Sequence, residues 1–110
     1  MRTVTKKHST IQDGKTRFAQ VTVVAFTVEE DAKRPGMPEL FLNDFRVNRM
    51  TKKDEALVYS AVRAVQLAEQ QLGWRGPPLC VTRVESSFVD RDPEAAQIAA
   101  TKAATALING

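Results

Sequence analysis

The residue types that carry nucleophilic, acid–base or metal chemistry are few in this chain and widely separated. There is one histidine, His8, and one cysteine, Cys80. They form a nucleophile–base pair only if the fold brings them together. A cysteine in a strand, such as Cys80, is more often a small core residue, and a histidine in a basic arm, such as His8, is more often solvated. Glycine-rich phosphate loops, Cys-x-x-Cys pairs and His-Glu-x-x-His motifs do not occur in the sequence. The sequence therefore predicts no metal site and identifies no catalytic residue.

One polar residue and two polar pairs remain as candidates for a site. Gln20 lies in an apolar segment, where its amide needs hydrogen-bond partners if it is buried, although a surface position is an equal alternative. Asp90 and Asp92 flank an arginine, but Asp92 is well placed to cap a helix and Asp90 to complement its positive end. The pair Asn43-Asp44 fits either a bulge or a ligand contact, and the sequence does not decide between them.

Composition predicts one cytoplasmic globular domain, residues 1–110. The chain is 43% hydrophobic and 26% charged, with no apolar run long enough for a membrane span and no signal-peptide pattern at its start. The lone cysteine cannot form an internal disulfide. Trp74 and Tyr59 are too few for a base-stacking platform, which argues against a single-stranded nucleic-acid partner.

Basic residues are concentrated at the N-terminal end of a chain whose net charge is +3. In the first seventeen residues only Asp13 opposes them. The basic residues are Arg2, Lys6, Lys7, Lys15 and Arg17. Such a cluster forms either a solvated arm or a contact with phosphate or an anionic cofactor.

The first half of the chain has a strand pattern. Residues 3–11 are expected to form an edge strand, and Asp13-Gly14 a hairpin turn. The strongest strand pattern is Phe18–Val28, and another follows at Glu39–Val47. Between them, Glu29–Pro38 is rich in charge, proline and glycine and is expected to be an exposed loop.

The second half predicts helix, strand and helix. Thr51 and Asp54 fit a capping box, apolar residues recur at helical spacing from Leu57 to Leu72, and Gly73 suits the position after the helix. A strand is expected at Leu79–Val89, and an alanine-rich helix starts after Asp92 with Pro93 at its first position. The fold class is therefore α+β, a two-layer β-β-β-α-β-α order with both helices on one face of a mostly antiparallel sheet.

Three segments resemble the formaldehyde-activating enzyme family over nearly the whole chain. Residues 13–24 are similar to that family's Asp-Gly turn and following strand, and Arg46-Val47 falls where the family tends to have Lys-Val before its first helix. The end is the most similar part. It combines Asp90, Gln97, Ala100-Thr101-Lys102 and Asn109-Gly110. This chain is shorter, mainly in the loop 29–38, and Gln20 stands where the family has its strand histidine.

The resemblance implies a fold like the second domain of a small-subunit ribosomal protein, also found in domain IV of elongation factor G. It implies a cytoplasmic homo-oligomer, a pentamer in that family, which holds tetrahydromethanopterin in clefts between subunits and condenses it with formaldehyde. Asp13, Gln20 and Arg46 are the substrate-binding residues that it suggests. No tightly bound cofactor is expected, since the tetrahydropterin is a substrate.

Glutamine changes what this site can do. An amide orients a substrate by hydrogen bonds but does not exchange protons near neutral pH, as a histidine does. The chain is therefore either a divergent, pterin-binding homologue whose catalysis is in question, or a non-catalytic binding or assembly module of the same fold. A third hypothesis is a ribosome- or RNA-associated domain, based on the basic arm and the likeness to the elongation factor.

Overall fold

A long antiparallel hairpin forms one edge of the sheet. In the computed structural model, which describes residues 2–26, 37–87 and 91–110, β1 spans Arg2–Gln12 and β2 spans Lys15–Ala25. Asp13 and Gly14 connect them with φ values of 54° and 74°, the left-handed conformation that a two-residue hairpin turn requires. The predicted turn is confirmed. β2 begins earlier than predicted and ends at Ala25, and residues 27 and 28 of the expected strand lie outside the described residues.

The predicted strand Glu39–Val47 is wrong as one element, because it is a second, much shorter hairpin. β3 spans Glu39–Leu42 and β4 spans Phe45–Arg46. Asn43 and Asp44 have φ values of 50° and 70°, and these are the residue types that adopt left-handed backbone most readily after glycine. Asn43-Asp44 is therefore a turn rather than a bulge.

The last strand, β5 (Leu79–Ser86), lies in the middle of the sheet. The strand order is β1-β2-β5-β3-β4, with antiparallel pairing except between β3 and β5, which are parallel. Parallel neighbours need a crossover, which the helix between them supplies. The α+β class is confirmed, and in the described residues the order is β-β-β-β-α-β-α. Residues 88 and 89 of the predicted last strand lie outside the described residues.

Both helices begin at the capping residues that the sequence indicates. In α1 (Lys52–Gln71), the Thr51 hydroxyl accepts from the Asp54 amide at 3.2 Å, and the Asp54 carboxylate accepts from the Thr51 amide at 3.0 Å. Gly73 follows the helix with a φ of 64°. In α2 (Pro93–Asn109), Asp92 Oδ1 accepts from the amides of the second and third helical residues.

The helices pack beside each other on one face of the sheet, as predicted. Five alanines of α2 are fully buried: Ala96, Ala99, Ala100, Ala103 and Ala104. Their small side chains allow α2 to lie close to both α1 and the sheet. The opposing strand face is Ala19, Val21 and Val23 of β2 with Val84 of β5, all fully buried.

An ion pair joins the starts of the two helices. Asp54, only 2% exposed, has its Oδ1 atom 3.0 Å from Nε of Arg91, one residue before the cap of α2. Its carboxylate thus caps α1 and pairs with a cation at the same time. A buried carboxylate with two such roles is costly to replace, because the Thr51 amide would lose its hydrogen bond and the Arg91 guanidinium its counter-charge.

Candidate functional site

The sheet face away from the helices carries a line of polar and aromatic side chains that crosses all five strands. Strand register pairs Lys7 with Gln20, Gln20 with Glu85, Glu85 with Phe41, and Phe41 with Arg46. These five residues are called the open-face row. Neighbouring strands are about 4.8 Å apart, so Gln20 and Arg46, which the sequence suggested separately, share one row roughly 14 Å apart.

Two cations of this face, Lys7 and Arg83, rest on aromatic rings. Lys7 Nζ lies 4.8 Å from the centre of the Phe18 ring, and the Arg83 guanidinium carbon lies 3.8 Å from that of Phe41. Arg83 also forms an ion pair with Glu85. Cations held over rings in this way stabilise the side-chain positions and leave the ring edges and polar ends available to a ligand.

Gln20 is the polar residue of the open-face row without a bond to a neighbour. It is half-buried, and within residues 2–26, 37–87 and 91–110 its amide forms no side-chain hydrogen bond. One row further along the strand, Thr22 is bonded to Thr5, with 2.8 Å between their hydroxyl oxygens. An amide with a free donor and a free acceptor next to the Glu85 carboxylate can bind a ligand that has both kinds of group.

The other predicted residues do not join this row. Asp13 is exposed at the tip of the β1–β2 hairpin, about seven residues along β2 from Gln20 and therefore roughly 20 Å away. Cys80 lies on the open face opposite Val24, whereas His8 lies on the helix side opposite Ala19. The Cys–His pair is therefore not formed. Asp90 lies outside the described residues.

A second concave region lies on the helix side of the sheet, where the β1–β2 hairpin meets the start of α2. This hairpin cavity has a volume of about 390 Å³. Its lining consists of His8, Thr10, Ile11, Arg17, Asp92, Glu94, Ala95 and Ile98. Thr10 and Arg17 are direct cross-strand neighbours on its floor.

A third concave region is apolar and follows the outer side of α1. This α1 groove, about 530 Å³, is lined by Met37, Pro38, Met50, Lys52, Glu55, Ala56, Val58, Tyr59 and Val62. Met37 is 66% exposed and Tyr59 is 62% exposed. Large apolar side chains grouped on a surface are typical of contact sites.

Sequence reasoning missed most of the open-face row and both other regions. Glu85 and Phe41 become neighbours of Gln20 only through the pairing of β5 with both β2 and β3. Alternation along each strand indicates which residues share a face but not which strands are adjacent. No one-dimensional signal could have supplied that pairing.

The described part of the chain contains no group of three His, Cys, Asp or Glu side chains placed to hold a metal ion. Neither of its helices is long and apolar enough to cross a membrane. No protein-family model, no curated protein and no solved structure matches this chain.

Proposed function

We propose that this chain binds a tetrahydropterin on its open sheet face, as a divergent relative of the formaldehyde-activating enzymes that lacks their acid–base group. The open-face row carries the proposal, because it brings Gln20 and Arg46 together with a carboxylate, an aromatic ring and a lysine. The order of strands and helices supports the proposed likeness to the ribosomal-protein and elongation-factor domains. The β3–β4 hairpin then takes the place of the third strand in the expected β-β-β-α-β-α order.

The chemistry of the row suits the pterin ring. A pterin presents adjacent N–H donors and a carbonyl acceptor along one edge. The Glu85 carboxylate is the natural acceptor for those donors, and the neighbouring Gln20 amide can donate to the carbonyl. The Phe41 ring, next to Glu85, offers an apolar surface, and Lys7 and Arg46 at the two ends favour the anionic tail of the carrier.

A flat sheet face becomes a closed site only when something covers it. In the family that the chain resembles, the pterin is held between subunits of a cytoplasmic homopentamer. A second copy over the open face would exclude water and give the hydrogen bonds of Gln20 and Glu85 their full strength. The proposal therefore includes a homo-oligomer.

Weak or absent formaldehyde condensation is the expected activity. A general acid–base group contributes roughly 10²- to 10⁴-fold, and an amide cannot supply that. Gln20→His should raise the rate of methylene-tetrahydromethanopterin formation, since it restores a titrating group at the family's position. Thr22→His, which places the same ring one row away, is the matched control and should have no effect.

Binding is measured separately from turnover. Calorimetry with tetrahydromethanopterin should give saturable binding to the wild-type chain, weakened by Gln20→Ala and Glu85→Gln. Robust wild-type turnover that survives Gln20→Ala would show that Gln20 does not occupy the histidine position. An absence of tetrahydropterin binding to the wild-type protein would overturn the proposal as a whole.

The alternative function, a non-catalytic assembly module, is favoured by one observation, the α1 groove. Its apolar lining is flanked by Lys52 and Glu55, which have opposite charges and lie about one helical turn apart. A second copy related by a two-fold axis would pair each lysine with the partner's glutamate while burying Tyr59. The partner in this alternative is therefore another copy of the chain.

A further inference from the structure

The hairpin cavity contains an arginine whose hydrogen-bonding capacity is not used. The Nε atom of Arg17 is buried and has no hydrogen-bond partner among the described residues. No hydrogen bond or ion pair joins the two terminal nitrogens of this guanidinium to a described residue either, so it is these nitrogens that can donate to a ligand in the cavity. Arg17 forms part of the cavity wall, directly across the strands from Thr10.

His8 adds a second donor to this wall. Its Nδ1 atom lies 3.2 Å from Nζ of Lys102 on α2. A charged ammonium group only donates, so Nδ1 is the acceptor and the ring hydrogen of neutral His8 is on Nε2. Lys102 also adds a positive charge close to the cavity.

Two carboxylates at the start of α2, Asp92 and Glu94, also line the cavity, but neither forms an ion pair with Arg17. Asp92 Oδ1 accepts from the amides of Glu94 and Ala95, so its negative charge lies against the positive end of the α2 dipole. Glu94 is exposed, and no ion pair joins it to Arg17 or His8 within the described residues. The positive end of the α2 dipole points to the same side.

We infer that the hairpin cavity is a binding site for the carboxylate or phosphate group of a small molecule. Arg17 is its main ligand-binding residue, with His8 and the Thr10 hydroxyl as further donors. At about 390 Å³ the cavity is within the size range of small-molecule sites. The site lies on the helix side of the sheet and does not depend on the proposed tetrahydropterin site on the open face.

Two probes test this inference, inorganic phosphate and acetate, each titrated into the full chain and followed by ¹H–¹⁵N correlation spectra. At least one should give saturable shifts centred on the amides of Thr10, Arg17 and Ala95. Arg17→Gln should weaken binding by roughly 10- to 100-fold, as expected for hydrogen bonds to a charged group. Glu94→Gln should strengthen it a few-fold by removing a nearby negative charge.

The matched control is Arg63→Gln, which removes an exposed arginine from the middle of α1 and should leave the affinity unchanged. Should Arg17→Gln fail to fold, Arg17→Lys takes its place, because it keeps the charge and removes the planar fork. An absence of saturable shifts with both probes overturns the inference, and so does equal affinity in the Arg17 variant that folds. Unchanged tetrahydropterin binding in that variant would show that the two sites are independent.

Discussion

Glu69, near the C-terminal end of α1, has a carboxylate in an environment that favours its neutral form. Burial raises its pKa above the ordinary value of 4.5, and a hydrogen bond from the Leu79 amide, 3.4 Å from Oε2, partly offsets this. A raised pKa in the folded state means that the folded protein binds the proton more tightly than the unfolded chain does. As pH rises from the unfolded-state pKa of Glu69 through its raised folded-state pKa, the free energy of unfolding therefore falls. This loss of stability persists at neutral pH, where the carboxylate is charged.

Glu69→Gln should raise the melting temperature at pH 7, because the amide keeps an acceptor for Leu79 and carries no charge to desolvate. The gain should shrink towards pH 4, where the wild-type carboxylate becomes protonated. Thermal unfolding of both proteins across this pH range checks the prediction. Asp44→Asn, at an exposed turn position whose left-handed backbone asparagine also adopts readily, is the control. A gain that does not depend on pH would assign the effect to helix propensity instead.

The sequence predicted individual residues well where the cause is local. Asp92 and Gly73 take the capping positions that their side-chain chemistry favours, and Asp13-Gly14 forms the expected turn. Gln20 was predicted to be unusual because it interrupts an apolar strand. Its neighbour Glu85 comes from a strand more than sixty residues later, so a cross-strand partner of this kind is set by tertiary pairing.

At the scale of elements, the hairpin between β3 and β4 shows where an apolar pattern is insufficient. The segment is rich in apolar residues, as one continuous strand would be, with Leu40, Phe41, Leu42, Phe45 and Val47. Backbone conformation overrides that pattern at Asn43 and Asp44, and the chain reverses after only four residues of β3. Phe45 is consequently 77% exposed on β4, at the edge of the sheet.

The buried alanines of α2 leave no room for larger side chains. Ala99 and Ala103 are one turn apart and both 0% exposed. Replacing either by leucine should overpack the contact with α1 and the sheet, at a cost of about 1–3 kcal/mol in unfolding free energy. Chemical denaturation measures this directly. Thr101→Leu, at an exposed position of the same helix, is the control and should change stability little.

If both buried variants kept the wild-type midpoint, the helix would not be packed as tightly as its burial indicates. If only one variant kept the wild-type stability, the close contact would lie at the other alanine of the pair. Either result is interpretable because the control separates overpacking from a change in helix propensity.

For the whole molecule, two layers leave apolar side chains without cover. The helices cover one sheet face, while Met37, Phe45 and Tyr59 are each at least 62% exposed. The open sheet face also needs a cover if it is to exclude water from a ligand. Both arguments predict that the protein is a homo-oligomer in solution, and the resemblance suggests a ring of five.

Light scattering at micromolar concentration should therefore give a mass above that of the 12.2 kDa chain. Tyr59→Glu should reduce that mass if the α1 groove forms the interface, because a carboxylate would be buried without a partner. Gln70→Glu adds the same charge at another exposed position of α1 and should have no effect. A wild-type monomer would remove the shared cleft from the proposed pterin site, whereas an oligomer that tolerates Tyr59→Glu would place the contact on another surface, with the open sheet face as the first to test.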